Sequence, residues 1–490
     1  MAGKSERIVK MNFGNKKIII MGLGSYKDGS GISAALFFAK KGANLLITDL
    51  KTKKELASQI KRLESFFLAR TGLARIEGSK ERLLTRTKYV LGRHRMQDFR
   101  EADYIFKNPS VPKNSPYLKI AKKNKIPIIN DWTIFFEERP QNLVIGVTGT
   151  KGKSTTATLI YQLLKNARKD ATLCGNIGQS PLSILNKIKK PRGIEKINSI
   201  KNHRSDEFYT IGNFGKNKSL RDEGTIVVAE LSSWLLHEFK DIKQSPRIAV
   251  ITNLMPDHLD KYKNIKEYYK DKENIFRFQN KNDYLILNEN DKNLRKIARK
   301  SKSRIVWYDG AHQNAAIAVA KLLKIPKSVA ERAIKTFKGL SGRLEFIRGK
   351  NGVKYYNDTT ATTPDATIYS LKSLSKYKGK IILISGGMDK NLDYKRLATE
   401  IPKYCKALIL FKGTASEKII KELLKLSKSD FNILNRVSDC SSMKKAVETA
   451  KKIASKDDII LLSPASTSFN MFKNEFDRGE QFNRFVKRLK

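Results

Sequence analysis

The sequence has almost no cysteine. Cys174, Cys405 and Cys440 are its only three, widely scattered and without the spacing of a metal site or a disulfide framework. That scarcity argues against a disulfide-stapled secreted domain and fits a reducing cytosol. Long apolar runs are also missing. Hydrophobic residues make up 40% of the chain, enough to build cores, yet no segment approaches the roughly 18 residues of a membrane span. The N-terminal Met1-Ala2-Gly3-Lys4-Ser5-Glu6-Arg7 carries neither an apolar signal region nor a cleavage site, so a soluble, cytoplasmic protein is expected.

Acidic residues are the third shortage. Against 97 Lys and Arg there are 48 Asp and Glu, a net charge of +49 on 490 residues. Such an excess attracts polyanions, and nucleic acid is the first class to consider. The lysines, however, are spread along the whole chain, often as Lys-Lys on helix faces. No block joins clustered arginine to interleaved aromatics, as a stacking platform for bases requires. The charge therefore speaks to solubility and weak anion attraction, and small-molecule partners are expected instead of nucleic acid or membrane.

What is present is a repeated alternation of buried strand and amphipathic helix. Residues 17–24, Lys-Ile-Ile-Ile-Met-Gly-Leu-Gly, read as a buried parallel strand entering a glycine-rich turn, with a helix from Ile32 to Lys41. A second strand, 44–49, ends in Asp49. This is a βαβ unit with a carboxylate after its second strand, the geometry used to hold nucleotides. Residues 139–142, Arg-Pro-Gln-Asn, look like a linker, and 143–148 open a fresh βα unit. The segment from about 186 to 224 is polar and aperiodic and reads as a surface insertion. A further α/β domain begins near Leu340-Ser341-Gly342-Arg343, and no tandem repeat is visible. The fold class is α/β in three domains, 1–139, 140–340 and 341–490.

The chemistry centres on 148–156, Thr-Gly-Thr-Lys-Gly-Lys-Ser-Thr-Thr, between a strand and a helix. Gly149 and Gly152 let backbone N–H groups converge on phosphate oxygens, with Thr150, Lys151 and Thr155 completing the loop. Lys153 is placed to neutralise β/γ-phosphate charge, and the Ser154 hydroxyl to bind Mg²⁺. The longer G-x-x-x-x-G-K-S spacing fails, because Val147 occupies its first glycine position. Glu230, closing strand 226–230, is placed to supply a carboxylate to the same ion. His258, in Asp257-His258-Leu259-Asp260, follows another buried strand at the edge where α/β sheets bind ligands. Lys272, on residue physics alone, is one solvated lysine among many. Arg343, Asp358 and the turns 386–390 and 463–468 repeat a pattern of strand end plus polar cluster, which points to a polar ligand on the C-terminal domain.

In this order the segments Gly149–Thr155, 174–178 (Cys-Gly-Asn-Ile-Gly), 230–234 (Glu-Leu-Ser-Ser-Trp), 257–260, 339–345, 357–362 (Asn-Asp-Thr-Thr-Ala-Thr) and 463–479 resemble the Mur ligases across nearly the whole chain, and the last block resembles their glutamate-adding branch. The resemblance implies an N-terminal Rossmann-like UDP-binding domain, a central P-loop ATPase domain and a C-terminal Rossmann-like domain. It implies that Gly24, Ser25, Asp49, Asn108 and Asn176 meet the UDP-linked substrate. Lys153, Ser154, Glu230, Asn314, Arg343 and Asp358 would serve ATP and Mg²⁺, while His258 and a carbamylated Lys272 would hold a second Mg²⁺. Thr362, Lys390 and Ser468 would receive glutamate. The implied reaction is amide formation on UDP-N-acetylmuramoyl-L-alanine through an acyl phosphate, a step of peptidoglycan synthesis, by a monomeric enzyme.

Departures accompany the resemblance. The family's Asp-Ser-Lys-Ala-Thr is Asp358-Thr359-Thr360-Ala361-Thr362 here, so a substrate-facing cation is missing. Leu235 stands for the usual glutamine, Glu475 for an aromatic, and Lys151 for an asparagine. The chirality of the amino acid is left open between D- and L-glutamate. Readings as an L-alanine-adding or folylpolyglutamate-forming relative, or as a nucleic-acid-stimulated ATPase, make different predictions for ADP release.

Overall fold

The computed structural model describes residues 11–24, 28–69, 86–177, 179–191, 224–255, 262–389, 391–426, 437–468 and 471–489. Ser25, His258, Lys390 and most of the expected insertion (192–223) lie outside the described residues. Seventeen strands among them form three sheets. The first holds β1 (Lys17–Met21), β2 (Asn44–Asp49), β3 (Thr87–Leu91), β4 (Tyr104–Lys107) and β5 (Ile128–Ile129), in the order β3-β2-β1-β4-β5. Every pairing is parallel. The second holds β6 (Val144–Thr148), β7 (Ala171–Gly175), β8 (Ile226–Glu230), β9 (Ile248–Ile251), β10 (Tyr284–Asn288) and β11 (Arg304–Tyr308), in the order β11-β10-β9-β6-β8-β7 and again all parallel.

Parallel strands covered on both faces need continuous apolar runs, and these sequences supply them. Ile18, Ile19 and Ile20 are wholly buried, as are Val227, Val228 and Ala229. Each such Ile or Val contributes about 1.5–3 kcal/mol. Helix starts are set by side chains that accept the first free amides: Asn130 for Asp131–Glu138, Ser232 for Ser233–Ile242 and Asn264 for Ile265–Glu273. Gly31 is required at the start of helix Ser30–Lys40, which follows β1, since a Cβ there would lie 2.4 Å from the Gly22 carbonyl oxygen.

The chain divides into two compact units, Met1–Phe337 and Lys338–Lys490. In the first, both sheets share one core: Phe38 and Phe135 join the same cluster as Leu236 and Phe239. The Trp132 ring lies 5.8 Å from that of Phe239. Buried polar groups cross the same seam. Lys107 pairs with Glu238, and the hydroxyls of Ser30 and Ser180 both donate to Asp131. Residues 139–142 are pinned as well: Arg139 donates to the Leu185 carbonyl, and Asn142 to those of Lys189 and Thr225. Among the described residues no helix is long and apolar enough to cross a membrane.

The second unit contains β12 (Glu345–Lys350), β13 (Val353–Asn357), β14 (Ile381–Gly386), β15 (Cys405–Phe411), β16 (Val437–Cys440) and β17 (Ile459–Leu462), ordered β12-β13-β17-β14-β15-β16. Only the β12–β13 hairpin is antiparallel. Separate apolar clusters cover the two faces of this sheet.

Candidate active site

Strand β6 lies between β8 and β9, so the loop that follows it emerges at the centre of the second sheet's C-terminal edge. Gly149 has φ +147°, and a Cβ there would stand 1.9 Å from the Thr252 hydroxyl. Gly152 has φ +80°, and a Cβ there would enter the His312 ring at 2.0 Å. Neither position tolerates a side chain. The stretch after β9 clamps the loop from the other side. Asn253 accepts from the Lys151 amide through its side chain (2.8 Å) and from the Thr150 amide through its carbonyl (3.0 Å). The Thr252 hydroxyl donates to the Lys151 carbonyl at 2.6 Å. Helix Lys153–Asn166 then begins on Gly152 with no side-chain cap. Its first-turn amides and the positive end of its dipole are thus left for an anion.

Two lysines converge on this loop. The Lys153 ammonium donates to the carbonyls of Gly149 (3.0 Å) and Thr150 (2.9 Å). Lys272, 119 positions later and 1% exposed, donates to the same Gly149 oxygen at 2.8 Å and lies over the Tyr268 ring. It is anything but a solvated lysine: helix Ile265–Glu273 buries it. The preceding Asp271 accepts from His237 (2.7 Å), Lys113 (2.8 Å) and the Tyr262 hydroxyl (3.0 Å), which sets the helix in register.

The strand beside β6 ends in Glu230. Register pairs it with Val147 at the end of β8, and it is 1% exposed. Its Oε1 accepts a long bond from Asn176 (3.4 Å), while Oε2 is buried without a hydrogen-bond partner among the described residues. An anionic oxygen left so costs several kcal/mol unless a cation meets it. The buried Ser154 hydroxyl makes no hydrogen bond to another described residue. A hydroxyl and an orphaned carboxylate oxygen beside a phosphate loop are the donor set a hard divalent cation takes. No group of three His, Cys, Asp or Glu side chains that could hold a metal occurs among the described residues.

The other expected residues fall at two further strand edges. In the first sheet, Asp49 accepts from the amides of Leu23 (2.8 Å) and Lys51 (2.9 Å), and Asn108 donates to the Gly22 carbonyl (3.1 Å) beside Gly24. These residues form one cluster at the ends of β1, β2 and β4. In the second unit, Arg343 is exposed, and its guanidinium makes no hydrogen bond or ion pair to another described residue. Thr362 and Ser468 lie on neighbouring turns after β13 and β17. Asn314 is apart from both edges, in the first turn of helix His312–Leu322 in the first unit, where it donates to the Asp309 carbonyl and lines a cleft of about 540 Å³ with Trp307 and Lys321. It is His312, two positions earlier, that packs on Gly152 and shares a hydrogen bond with Thr156.

Asp358 is enclosed, accepting from Ser370, Ser463 and the Leu344 amide. Burial outweighs these donors and pushes its carboxyl from the ordinary 3.8 up to about 6. The folded chain then holds this proton more tightly than the unfolded one. Its contribution to stability falls as pH rises from about 4 to about 6. Asp358→Asn should flatten that slope by on the order of 3 kcal/mol, read from urea unfolding at about pH 4 and about pH 7. An unchanged slope would remove burial as the cause.

The comparisons with known proteins bear on all three edges. Residues 147–346 match the Mur ligase middle domain, and residues 342–466 match the Mur ligase glutamate ligase domain. A UDP-N-acetylmuramoylalanine--D-glutamate ligase of Borreliella afzelii is 35% identical, with 97% of this chain and 98% of the relative covered. The chain belongs to the Mur ligase family.

A second enzyme of the same name, from Roseiflexus, is 32% identical over 97% of this Mur ligase and 99% of its own length. The crystal structure of the UDP-N-acetylmuramate-alanine ligase MurC of Thermotoga maritima matches the fold with a TM-score of 0.52 at 17% identity, covering 96% of this chain and 99% of that one. Members of the family are ATP-dependent ligases that form carbon–nitrogen bonds, and so is this chain. The loop 149–154 lies within the matched middle domain. Sequence reading missed the residues that brace it, Thr252, Asn253 and His312. The signal available was their position directly after a buried strand or at a helix start.

Proposed function

We propose that this ligase adds glutamate to UDP-N-acetylmuramoyl-L-alanine in peptidoglycan precursor synthesis, as a soluble cytoplasmic monomer. The observation that carries the reading is the Gly149 carbonyl shared by the half-buried Lys153 and the fully buried Lys272 ammonium groups, with the Glu230 oxygen left without a described partner on the neighbouring strand end. Such a site calls for a polyphosphate together with a cation. The curated relatives, named as D-glutamate ligases over nearly their full length, support the substrate pair.

In this mechanism the first cluster, Gly24, Asp49 and Asn108, holds the UDP moiety. Asn176 turns the muramoyl end toward Glu230. Lys153 draws charge from the phosphoryl group while the substrate carboxylate attacks it, giving an acyl phosphate and ADP. The glutamate amine, received by Thr362, Lys390 and Ser468, then displaces phosphate. Ser154 and Glu230 would hold one Mg²⁺, and His258 with a carbamylated Lys272 a second. When bound, such ions neutralise charge on the transferring phosphoryl group. Carbamylation also makes electrostatic sense, because it turns two like charges on one carbonyl into an opposite pair.

Thr360, standing where the family carries lysine, leaves L-glutamate as a second reading. One phosphate-release assay compares D-glutamate, L-glutamate and no amino acid, each with ATP and UDP-N-acetylmuramoyl-L-alanine. ADP should form only when the nucleotide substrate and one glutamate enantiomer are both present. Turnover with neither enantiomer ends the assignment, and stimulation by DNA or RNA would revive the ATPase alternative.

A further inference from the structure

Arg478 is the fourth residue of the C-terminal helix Glu475–Arg488 and is 1% exposed. Its Nε donates to the Thr359 hydroxyl (3.1 Å) and Nη2 to the Thr359 carbonyl (2.9 Å). Nη1 and Nη2 reach the Ser466 carbonyl at 3.4 and 3.5 Å. Every acceptor is neutral. Among the described residues no carboxylate forms an ion pair with it, and Glu475 acts on it only at longer range. Burial accordingly pulls the guanidinium down to about 10. A fully enclosed cation without a counter-ion is costly, and structures retain one where an anion arrives or a geometry depends on it.

Both reasons meet at one place. Thr359 lies on the turn after β13 and Ser466 on the turn after β17, adjacent parallel strands paired at Asn357 and Leu462. These turns carry Thr362 and Ser468. Gly479 allows the close approach: a Cβ there would stand 2.6 Å from the Thr359 methyl carbon, and its carbonyl accepts from Asn357 at 3.2 Å. The outer surface of the first turn supplies no cation. Thr360 stands in place of a lysine, and its amide and hydroxyl both bond the Gly342 carbonyl, at 3.0 and 2.9 Å.

We infer that Arg478 is a positioning and specificity-determining residue, which fixes the two amino-acid-binding turns and supplies from beneath them the positive field that selects a second carboxylate on the incoming amino acid. The inference rests on the reading of the second unit as the amino-acid site. It concerns dicarboxylic against neutral amino acids and is independent of chirality. Charge held in a low-dielectric interior acts across a turn without touching the ligand, because little water screens it.

The test uses the full chain and measures kcat/KM for glutamate and for glutamine, its neutral isostere, at saturating ATP and nucleotide substrate. Arg478→Gln keeps donors for Thr359 and Ser466 but removes the charge. Its KM for glutamate should rise about tenfold or more, its KM for ATP should hold, and the glutamate-to-glutamine preference should fall by a similar factor. Arg478→Lys, which keeps the charge and loses the fork, should retain most of the preference. A folded Arg478→Gln whose preference is unchanged overturns the proposal, even if it is slower or less stable. If that variant does not fold, a folded Arg478→Lys that has lost the preference overturns it equally. Should wild-type enzyme use aspartate, the aspartate–asparagine pair replaces the first. Wild-type turnover with neutral amino acids alone defeats both this inference and the reading beneath it, whereas normal glutamate turnover with an unaltered variant preference defeats this inference only.

Discussion

Lys272→Ala should lower ADP release by on the order of 10²- to 10³-fold while leaving the fold intact, and formate or acetate should restore part of the lost rate. The reasoning starts from where the side chain sits. Lys272 is buried against the phosphate loop at 2.8 Å from the Gly149 carbonyl, so truncation opens a channel of side-chain width beside that loop. The helix does not depend on it for its position, since Asn264 caps its start and Asp271 is held by His237, Lys113 and Tyr262. If the working form is an anionic carbamate, a small carboxylate replaces its oxygens and a small amine does not. Rescue by methylammonium instead of acetate would make the ammonium the working form, and unchanged activity would leave Lys272 without a catalytic role.

Glu230→Gln should separate activity from stability. The substitution keeps an acceptor for Asn176 and removes a buried negative charge whose Oε2 has no hydrogen-bond partner among the described residues. Stability should therefore hold or rise, by about 1–3 kcal/mol at most, because desolvation of the unpaired oxygen is relieved. Activity should fall by on the order of 10²-fold, with a higher Mg²⁺ concentration needed for half-maximal rate. Thermal unfolding and a Mg²⁺ titration on the same preparation check both halves. A variant that is less stable and normally active would make Glu230 a structural acid.

Much of this molecule was legible residue by residue. Continuous apolar runs marked the buried parallel strands, because a strand covered on both faces has no polar side to show. Gly149 and Gly152 marked the phosphate loop, since close backbone approach leaves no room for a Cβ. Asp49, Glu230 and Asp358 were visible as acids at strand ends, where α/β sheets collect their ligands. The resemblance to Mur ligases rested on such local blocks and their order, and the family comparisons bear it out.

Meeting across the sheets was not legible. Apart from the family resemblance, Lys272 looked like any other lysine on a basic helix, because local periodicity reports how a residue faces its own element and nothing about which distant element covers it. Its burial on Gly149 follows from the strand order β9-β6-β8 and from the anchoring of Asp271 by a histidine, a lysine and a tyrosine from other segments. Arg478 belonged to the 463–479 block of the resemblance, but it became a buried cation only when the C-terminal helix packed on the turns after β13 and β17. The sequence by itself determined the strands, the phosphate loop and the family. Only the tertiary structure decided which charges lost their water, because desolvation depends on which distant elements cover a lysine, a glutamate or an arginine.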